Sequence, residues 1–124
     1  MDFEFGEEHE MIRRTVRELA EREIRPVAAA HDATGEFPSE TVAKMASIGL
    51  MGMVIPAEYE GAGLDALSFA VALEEIARVD GAHALIMSAH NTLGMGNIWL
   101  TGTEAQRKRY IPELASGRRL AAWA

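Results

Sequence analysis

The chain has 124 residues, 48% of them hydrophobic and 25% charged, which suits one globular domain with its own core. It contains no cysteine, which excludes disulfides, thiolate catalysis and a cysteine-ligated zinc site. The net charge of −7 and the lack of a strongly basic patch argue against nucleic-acid binding.

Apolar residues at helical spacing predict two helices in the first 49 residues. The first runs from residue 6 or 7 toward Asp32, with acidic residues in its first turn, where they suit the positive end of the helix dipole. Pro26 lacks a backbone N–H and should kink or split this helix. After a loop at 32–37, Pro38 starts a second helix, which Gly49 ends.

The following stretch, 50–64, is predicted to be irregular. Pro56 closes a short apolar run, and the glycines of YEGAG at 59–63 indicate a tight turn. Asp65 is placed to cap a third helix. The Asp-Gly pair at 80–81 then ends this helix and separates it from the next.

The run 82–102 holds no Asp, Glu, Lys or Arg. Four of its residues share one helix face at spacing i, i+3, i+4 and i+7: Ile86, Ala89, His90 and Leu93. Gly94 and Gly96 follow within a turn and indicate a close approach of another backbone or of a ligand. Two interpretations stay open, a central core helix or one wall of a pocket for something long and apolar.

The last predicted helix begins at a capping-box pattern, Thr103 with Gln106. Pro112 should bend it, and a Ser-Gly pair ends it. The final residues, RRLAAWA, look like the opening of a buried strand, which needs a partner that nothing upstream provides. We therefore predict a helical domain at 1–117 and the start of a β-domain at 118–124.

Together these elements predict an all-α protein, an antiparallel bundle of about five helices ending in the first residues of a β-strand. The helix at 82–101 should be the most buried element, because an uncharged helix can face solvent along little of its length. No internal repeat or low-complexity segment interrupts the pattern.

The distribution of polar residues predicts neither a signal peptide nor a membrane span. The N-terminus, MDFEFGEEHEM, is acidic and lacks the apolar segment of a signal peptide. The run 82–102 is long enough to cross a bilayer, but it contains histidines and asparagines, which are costly in hydrocarbon. We expect a cytoplasmic protein with no transmembrane segment.

The acidic pair and the histidines form no self-contained active site. Glu74 and Glu75 are adjacent, so on a helix they point about 100° apart, and we expect one at the surface and one capping a neighbouring loop. The four histidines show no metal-ligand spacing. The glycines at 61–63 follow no strand and therefore do not match a phosphate-binding motif. We expect no catalytic residue and no metal site in this chain.

A series of short motifs runs through the chain in a specific order. They are IRP at 24–26, GEFP at 35–38, IGL at 48–50, PAEYEGAGLD at 56–65, LEEIARVD at 73–80 and GTEAQRKRYIPELASG at 102–117. Each is weak alone, but the ordered set resembles the N-terminal helical domain of the acyl-CoA dehydrogenase family, over essentially the whole chain. One departure is Glu60, where the family often has glycine in a Tyr-Gly-Gly turn.

The resemblance implies a three-part enzyme and a reaction. Family members have a helical domain, a central β-domain and a second helical domain, with FAD bound between the last two. A glutamate of the last domain removes the α-proton of an acyl thioester, and the β-hydride goes to the flavin. This chain resembles the first domain alone, so we expect it to be inactive and not to bind FAD by itself.

The resemblance also implies site residues and partners for the complete enzyme. The family positions that line the acyl chain match Ile86, Ala89, His90 and Leu93, the face found from spacing. Trp123 and Ala124 match positions beside the flavin. The implied substrate is an acyl-CoA, the implied electron acceptor is an electron-transfer flavoprotein, and the implied assembly is a homo-oligomer.

Two alternative functions remain at this point. One is a related flavoprotein, such as an acyl-CoA oxidase or a flavin-dependent monooxygenase component, which the C-terminal half of the protein would distinguish. The other is a free-standing helical binding module, against which the apolar RRLAAWA ending argues.

Overall fold

A computed structural model describes residues 4–123, which form an all-α structure. Its elements are α1 (Glu7–Leu19), a π-helical segment (Ala20–Ile24), α2 (Arg25–Thr34), α3 (Ser39–Ser47), a 3-10 turn (Ala57–Tyr59), α4 (Ala66–Ala77), α5 (Gly81–Ser88), a second π-helical segment (Ala89–Gly94), α6 (Met95–Thr101) and α7 (Glu104–Ala115). Each π-helical segment joins the α-helices on either side of it into one continuous helix. The described residues therefore contain five helices, which confirms the predicted all-α class and helix number.

Helix ends follow the local sequence signals. The Asp65 carboxylate accepts a hydrogen bond from the Ser68 backbone N–H at 2.7 Å, and so caps α4. Thr103 and Gln106 form the predicted capping box of α7, with bonds of 2.8 and 3.3 Å. Gly49 takes a φ of 84° just after α3, a conformation that glycine adopts without the steric cost of a side chain.

The first helix continues past Pro26 to Thr34 instead of splitting. Immediately before the proline, the Arg25 N–H bonds the Ala20 carbonyl five residues back. This wider π turn precedes the position at which Pro26 has no donor to offer, and the α-helical pattern resumes after it.

The helices do not all run antiparallel. The helix 81–101 and α7, joined by two residues, do. Trp99 contacts the Arg107 guanidinium near the connection, and His90, further from it, bonds the Leu114 carbonyl near the end of α7. α1 and α4 instead run parallel, because His9 bonds Asp65 where both begin and Glu21 pairs with Arg78 where α4 ends. The antiparallel prediction is therefore wrong for this pair, because the long 35–65 connection carries the chain back to the end where α1 started.

Two apolar clusters form the core. The larger joins α1, the first π segment, α3, α4 and α5 to the start of the 50–64 loop: Val16, Leu19, Ala20, Ile24, Met45, Leu50, Met53, Ala72, Ile76, Ala84 and Met87. The smaller joins the 50–64 loop to α6 and α7: Ile55, Tyr59, Met95, Ile111, Leu114 and Ala115. The continuous helix 81–101 contributes to both clusters and so ties the two halves of the domain together.

The helix 81–101 is not the most buried element, contrary to prediction. One face packs into both clusters, but Leu85, Leu93 and Leu100 are 67%, 49% and 75% exposed. Its outer face is uncharged rather than buried, because it exposes these leucines together with Thr92, Asn97 and Thr101. None of the helices found in residues 4–123 has the length and apolarity needed to cross a bilayer.

The segment 118–123 has no regular secondary structure, so the predicted strand opening is not observed there. The Arg119 N–H bonds the Glu113 carbonyl at the end of α7 at 3.0 Å. A strand needs a neighbouring strand to satisfy its backbone, and residues 4–123 supply none. We call 118–123 the tail.

Glu75 does not cap a loop as predicted, but bridges two helices. It is 3% exposed and accepts two hydrogen bonds from Arg17, at 2.9 and 2.8 Å, while Arg78 lies at 3.3 Å and Arg13 at 3.8 Å. The bonds from Arg17 lower the pKa of Glu75, although burial opposes the shift. Glu74 is exposed, as predicted for one member of the pair.

Replacing Glu75 with alanine should lower the free energy of unfolding by about 2 kcal/mol, because Arg13, Arg17 and Arg78 lose the buried carboxylate that they share. The contribution is present above the ordinary glutamate pKa of about 4.3 and is lost as pH falls through the lowered folded value. Urea unfolding followed by helical circular dichroism measures both effects. Glu74→Ala is the matched control and should change stability by less than about 0.5 kcal/mol; equal losses would contradict the bridge.

Candidate functional site

A cavity of about 640 Å³ lies between the end of α2, the 35–38 loop, the helix 81–101 and the tail. The residues that line it are Ala28, His31, Asp32, Gly35, Glu36, Phe37, Pro38, Asp80, Ala82, His83, Leu85, Ile86, Ala89, His90, Leu120, Ala121 and Ala122. Its wall is largely aliphatic along α5 and the tail, with polar groups from α2, the 35–38 loop and the start of α5. Such a mixture suits a mainly apolar ligand.

The four residues predicted to share a ligand-facing surface separate in the structure. Ile86 and Ala89 are partly exposed and line the cavity. His90 reaches the cavity from within the core and is only 1% exposed. Leu93 is 49% exposed but lies outside the cavity lining.

His90 follows His83 by seven residues and Met87 by three, so regular helical spacing places it on their buried face. The π-helical segment contributes to the separate position of Leu93. The Met95 N–H bonds the His90 carbonyl five residues back, so the helix turns less per residue here than an α-helix does. Residues three, four and seven positions apart share one face of a regular α-helix, but beyond Ala89 they no longer do so. Sequence spacing alone assumes 3.6 residues per turn and does not detect the change.

Leu85 is the cavity residue that the sequence interpretation missed. It is 67% exposed and lines the cavity one position before Ile86. A signal for it exists, because Leu85 precedes Ala89 by four residues and so belongs to the same stripe. The prediction included His90 instead, which placed the stripe closer to the buried side of the helix and left Leu85 out.

A chain of hydrogen-bonded polar groups runs from the cavity wall at the start of α5 to Thr41 of α3. His83 is 1% exposed; its Nδ1 lies 2.6 Å from the Asp80 carboxylate and its Nε2 lies 2.6 Å from the Thr41 hydroxyl. Burial opposes ionisation of Asp80, but the hydrogen bonds from His83 outweigh it and hold the pKa of Asp80 below its ordinary value.

This Asp–His–Thr chain is structural rather than nucleophilic. Thr41 is 4% exposed, lies outside the cavity lining and also bonds the Pro38 carbonyl at 3.1 Å. Its hydroxyl thus has no path to a bound molecule. The chain joins the start of α5 to the start of α3, and so fixes the rim of the cavity.

Comparison with known proteins identifies the family. A family model described as the acyl-CoA dehydrogenase N-terminal domain matches residues 6–118. The chain belongs to the acyl-CoA dehydrogenase family. The short-chain specific acyl-CoA dehydrogenase of Clostridium acetobutylicum is 44% identical over 123 residues, which is 99% of this chain and 32% of that protein.

Solved structures of the acyl-CoA dehydrogenase family share the fold. Butyryl-CoA dehydrogenase from Megasphaera elsdenii superposes with a TM-score of 0.90 at 29% identity, covering 97% of this chain and 32% of that chain. The Bacillus anthracis acyl-CoA dehydrogenase complexed with FAD superposes with a TM-score of 0.89 at 35% identity, covering 95% and 20%. The chain spans about a third of the length of the Clostridium acetobutylicum and Megasphaera elsdenii proteins.

Glu60 occupies the turn where the acyl-CoA dehydrogenase family often has glycine. It has a φ of 64°, the one positive value for a non-glycine residue among those described. Its carboxylate pairs with Arg118 at 2.6 and 3.3 Å. The turn thus keeps the conformation typical of glycine, and the side chain ties it to the start of the tail.

One of the two predicted flavin neighbours, Trp123, is the last residue of the tail. Trp123 is 69% exposed, and Ala124 lies outside the described residues. An exposed aromatic ring suits contact with a flat cofactor such as a flavin. One ring cannot hold a dinucleotide by itself, so the described residues fit one edge of a FAD site and not a complete one.

Proposed function

We propose that this chain is the N-terminal domain of an FAD-dependent acyl-CoA dehydrogenase and forms one wall of its acyl-chain pocket. The observation that carries the proposal is the exposed apolar face of the helix 81–101 where it lines the 640 Å³ cavity, at Leu85, Ile86 and Ala89. Leu93, further along the helix, is proposed to extend this wall beyond the cavity.

The chemistry of this wall suits an acyl chain. Each CH₂ group that leaves water for an apolar wall gains about 0.8 kcal/mol. The run 82–102 holds no charged residue apart from any charge on its histidines, so it would not favour a chain that ends in a carboxylate. FAD, when bound, supplies the acceptor for the hydride; this chain supplies position and exclusion of water.

The wider setting follows from family membership and is part of the proposal. The substrate is an acyl-CoA, and the naming of relatives as short-chain specific or butyryl-CoA enzymes favours a short chain. The electron acceptor is an electron-transfer flavoprotein, the complete enzyme is a homo-oligomer, and the absence of cysteine fits the cytoplasm. Residues 1–117 form the helical domain, and 118–124 lead into the β-domain.

The proposal is tested by assaying the complete enzyme, loaded with FAD, on straight-chain acyl-CoAs of increasing length. We expect 2-enoyl-CoA, identified by mass spectrometry, with reduction of an added electron-transfer flavoprotein. The 124-residue chain is the control; it should emerge from gel filtration without flavin absorbance and form no product. Flavin-loaded enzyme that oxidises no acyl-CoA would refute the function. A stoichiometric flavin complex of the 124-residue chain would refute the expectation that this chain does not bind FAD by itself.

A further inference from the structure

His90 is held by hydrogen bonds at both ring nitrogens. Its Nδ1 lies 2.9 Å from the Ala121 backbone nitrogen, and its Nε2 lies 3.0 Å from the Leu114 carbonyl oxygen. A backbone N–H can only donate and a carbonyl can only accept. The network therefore assigns the neutral tautomer that carries its proton on Nε2.

The bond to Ala121 reaches a part of the chain that lacks regular secondary structure. Earlier in the tail, the Arg119 N–H bonds the end of α7, so His90 holds the chain beyond that point. Gly94 lets the tail approach closely, because a Cβ at this position would lie 2.3 Å from the Cβ of Ala121. Trp123 follows two residues later.

We propose that His90 is a positioning residue, which ties Ala121 to the helix 81–101 and thereby sets where Trp123 is presented beside the cavity. The hydrogen bonds are independent of the proposed function; the flavin contact of Trp123 rests on it. This role does not require contact between His90 and an acyl chain, because both ring nitrogens bond the backbone of the chain itself.

The surroundings of His90 keep the ring neutral. Burial lowers its pKa, and bonding to the Leu114 and Met51 carbonyls offsets only part of this shift. Several titratable and charged groups on the elements packed around it are engaged with other partners: His83 with Asp80, Glu113 with Arg119, Glu60 with Arg118, and His31 with the Glu36 carbonyl. Earlier in α7, Lys108 pairs with Glu104, and Arg107 and Arg109 lie over Trp99 and Tyr110. Asp32 and Glu36 face the same cavity from the α2 side.

Protonation should release the tail, because Nδ1–H would then face the Ala121 N–H, donor against donor. The folded pKa lies below the ordinary histidine value of about 6.5. The contribution of His90 to stability is therefore fully present above that value and is lost as pH falls from it toward the lowered folded pKa.

The test compares two variants that each keep one half of the ring's bonding. In His90→Asn, the side-chain carbonyl oxygen can replace Nδ1 as the acceptor for the Ala121 N–H. In His90→Gln, the longer side chain places its NH₂ group near the Nε2 position, where it can donate to the Leu114 carbonyl. Protection of the Ala121 amide from hydrogen exchange is the readout, measured by NMR on the 124-residue chain. We expect protection to fall about tenfold in His90→Gln and far less in His90→Asn.

Equal protection of Ala121 in the two variants would overturn the proposal, whatever their stability. The wild-type chain provides a second measurement that does not depend on any variant folding. Nitrogen–proton correlation spectra of the His90 ring should show the Nε2–H form at about pH 7.5, a unit above the ordinary histidine pKa, and the Ala121 amide should shift with the His90 titration. The Nδ1–H form, or an Ala121 amide insensitive to that titration, would also overturn it. Neither measurement depends on FAD or on activity. A negative result would therefore refute the role of His90 without refuting the proposed enzyme function.

Discussion

Gly61→Ala should destabilise the chain by about 3 kcal/mol or more, the largest loss expected from a single methyl group here. A Cβ at Gly61 would lie 2.0 Å from the Ile55 carbonyl oxygen and 2.5 Å from the carbonyl carbon. These are backbone atoms of a residue that is 1% exposed, so they cannot move aside as a flexible side chain would.

The clash would propagate through the 50–64 loop. The same Ile55 carbonyl accepts the Gly63 N–H at 2.8 Å, and the Leu64 N–H bonds the Met53 carbonyl at 2.8 Å. Moving Ile55 therefore breaks the hydrogen bonds that hold the loop closed and disturbs the smaller apolar cluster.

Gly81→Ala is the matched control for Gly61→Ala. Gly81 is the first residue of α5, and a Cβ there meets nothing within 4 Å. Alanine should stabilise the helix by about 0.5–1 kcal/mol through the smaller entropy of the unfolded chain. Urea titrations of both variants measure the contrast; a Gly61→Ala midpoint equal to wild type would show that the loop can open to admit the methyl group.

Ala89→Phe in the complete enzyme should cut kcat/KM on longer acyl-CoAs by about ten- to hundredfold and spare short ones. Ala89 is partly exposed on the cavity wall, and a phenyl ring there would occupy the space of several methylenes. Each substrate methylene that the ring displaces from the wall costs about 0.8 kcal/mol, near a fourfold change in affinity. Short substrates are spared because they place few methylenes against this wall, and the chemistry occurs at the thioester end.

A series of acyl lengths, measured together with thermal stability, separates this expectation from simple overpacking. Overpacking would cost about 1–3 kcal/mol of stability and lower activity at every chain length alike. Ala105→Phe is the matched control, because Ala105 is an exposed alanine in the first turn of α7 that does not line the cavity. A uniform loss with a lower melting temperature in Ala89→Phe, and none in the control, would make Ala89 a core residue.

Sequence signals are reliable where the physics is local. Asp65 and the Thr103–Gln106 box act on backbone groups within three residues, so their caps can be predicted without knowing the fold. The family assignment rests on ordered motifs and is likewise available from sequence, as the match over residues 6–118 confirms.

Signals that depend on a distant partner mislead a prediction from sequence. Adjacency on a helix predicts a loop contact for Glu75, but Arg17, which holds it most closely, lies on α1, 58 positions away. Helical spacing places His90 on the stripe that lines the cavity, which it does, but it does not reveal that the ring bonds Leu114 and Ala121 on other elements. Neither distant partner leaves a trace in local spacing.

The helices, their caps, the uncharged run 82–102 and the family all follow from the amino-acid sequence alone. Packing is needed to establish which side of that run faces outward, because the π turn at 89–94 changes the rotation per residue and burial selects one face. The direction of α4 relative to α1 and the position of the tail also require the folded structure, since both depend on contacts between residues far apart in the chain. Local hydrogen bonds set each element, but the free energy that orients the elements comes from surfaces that meet only on folding.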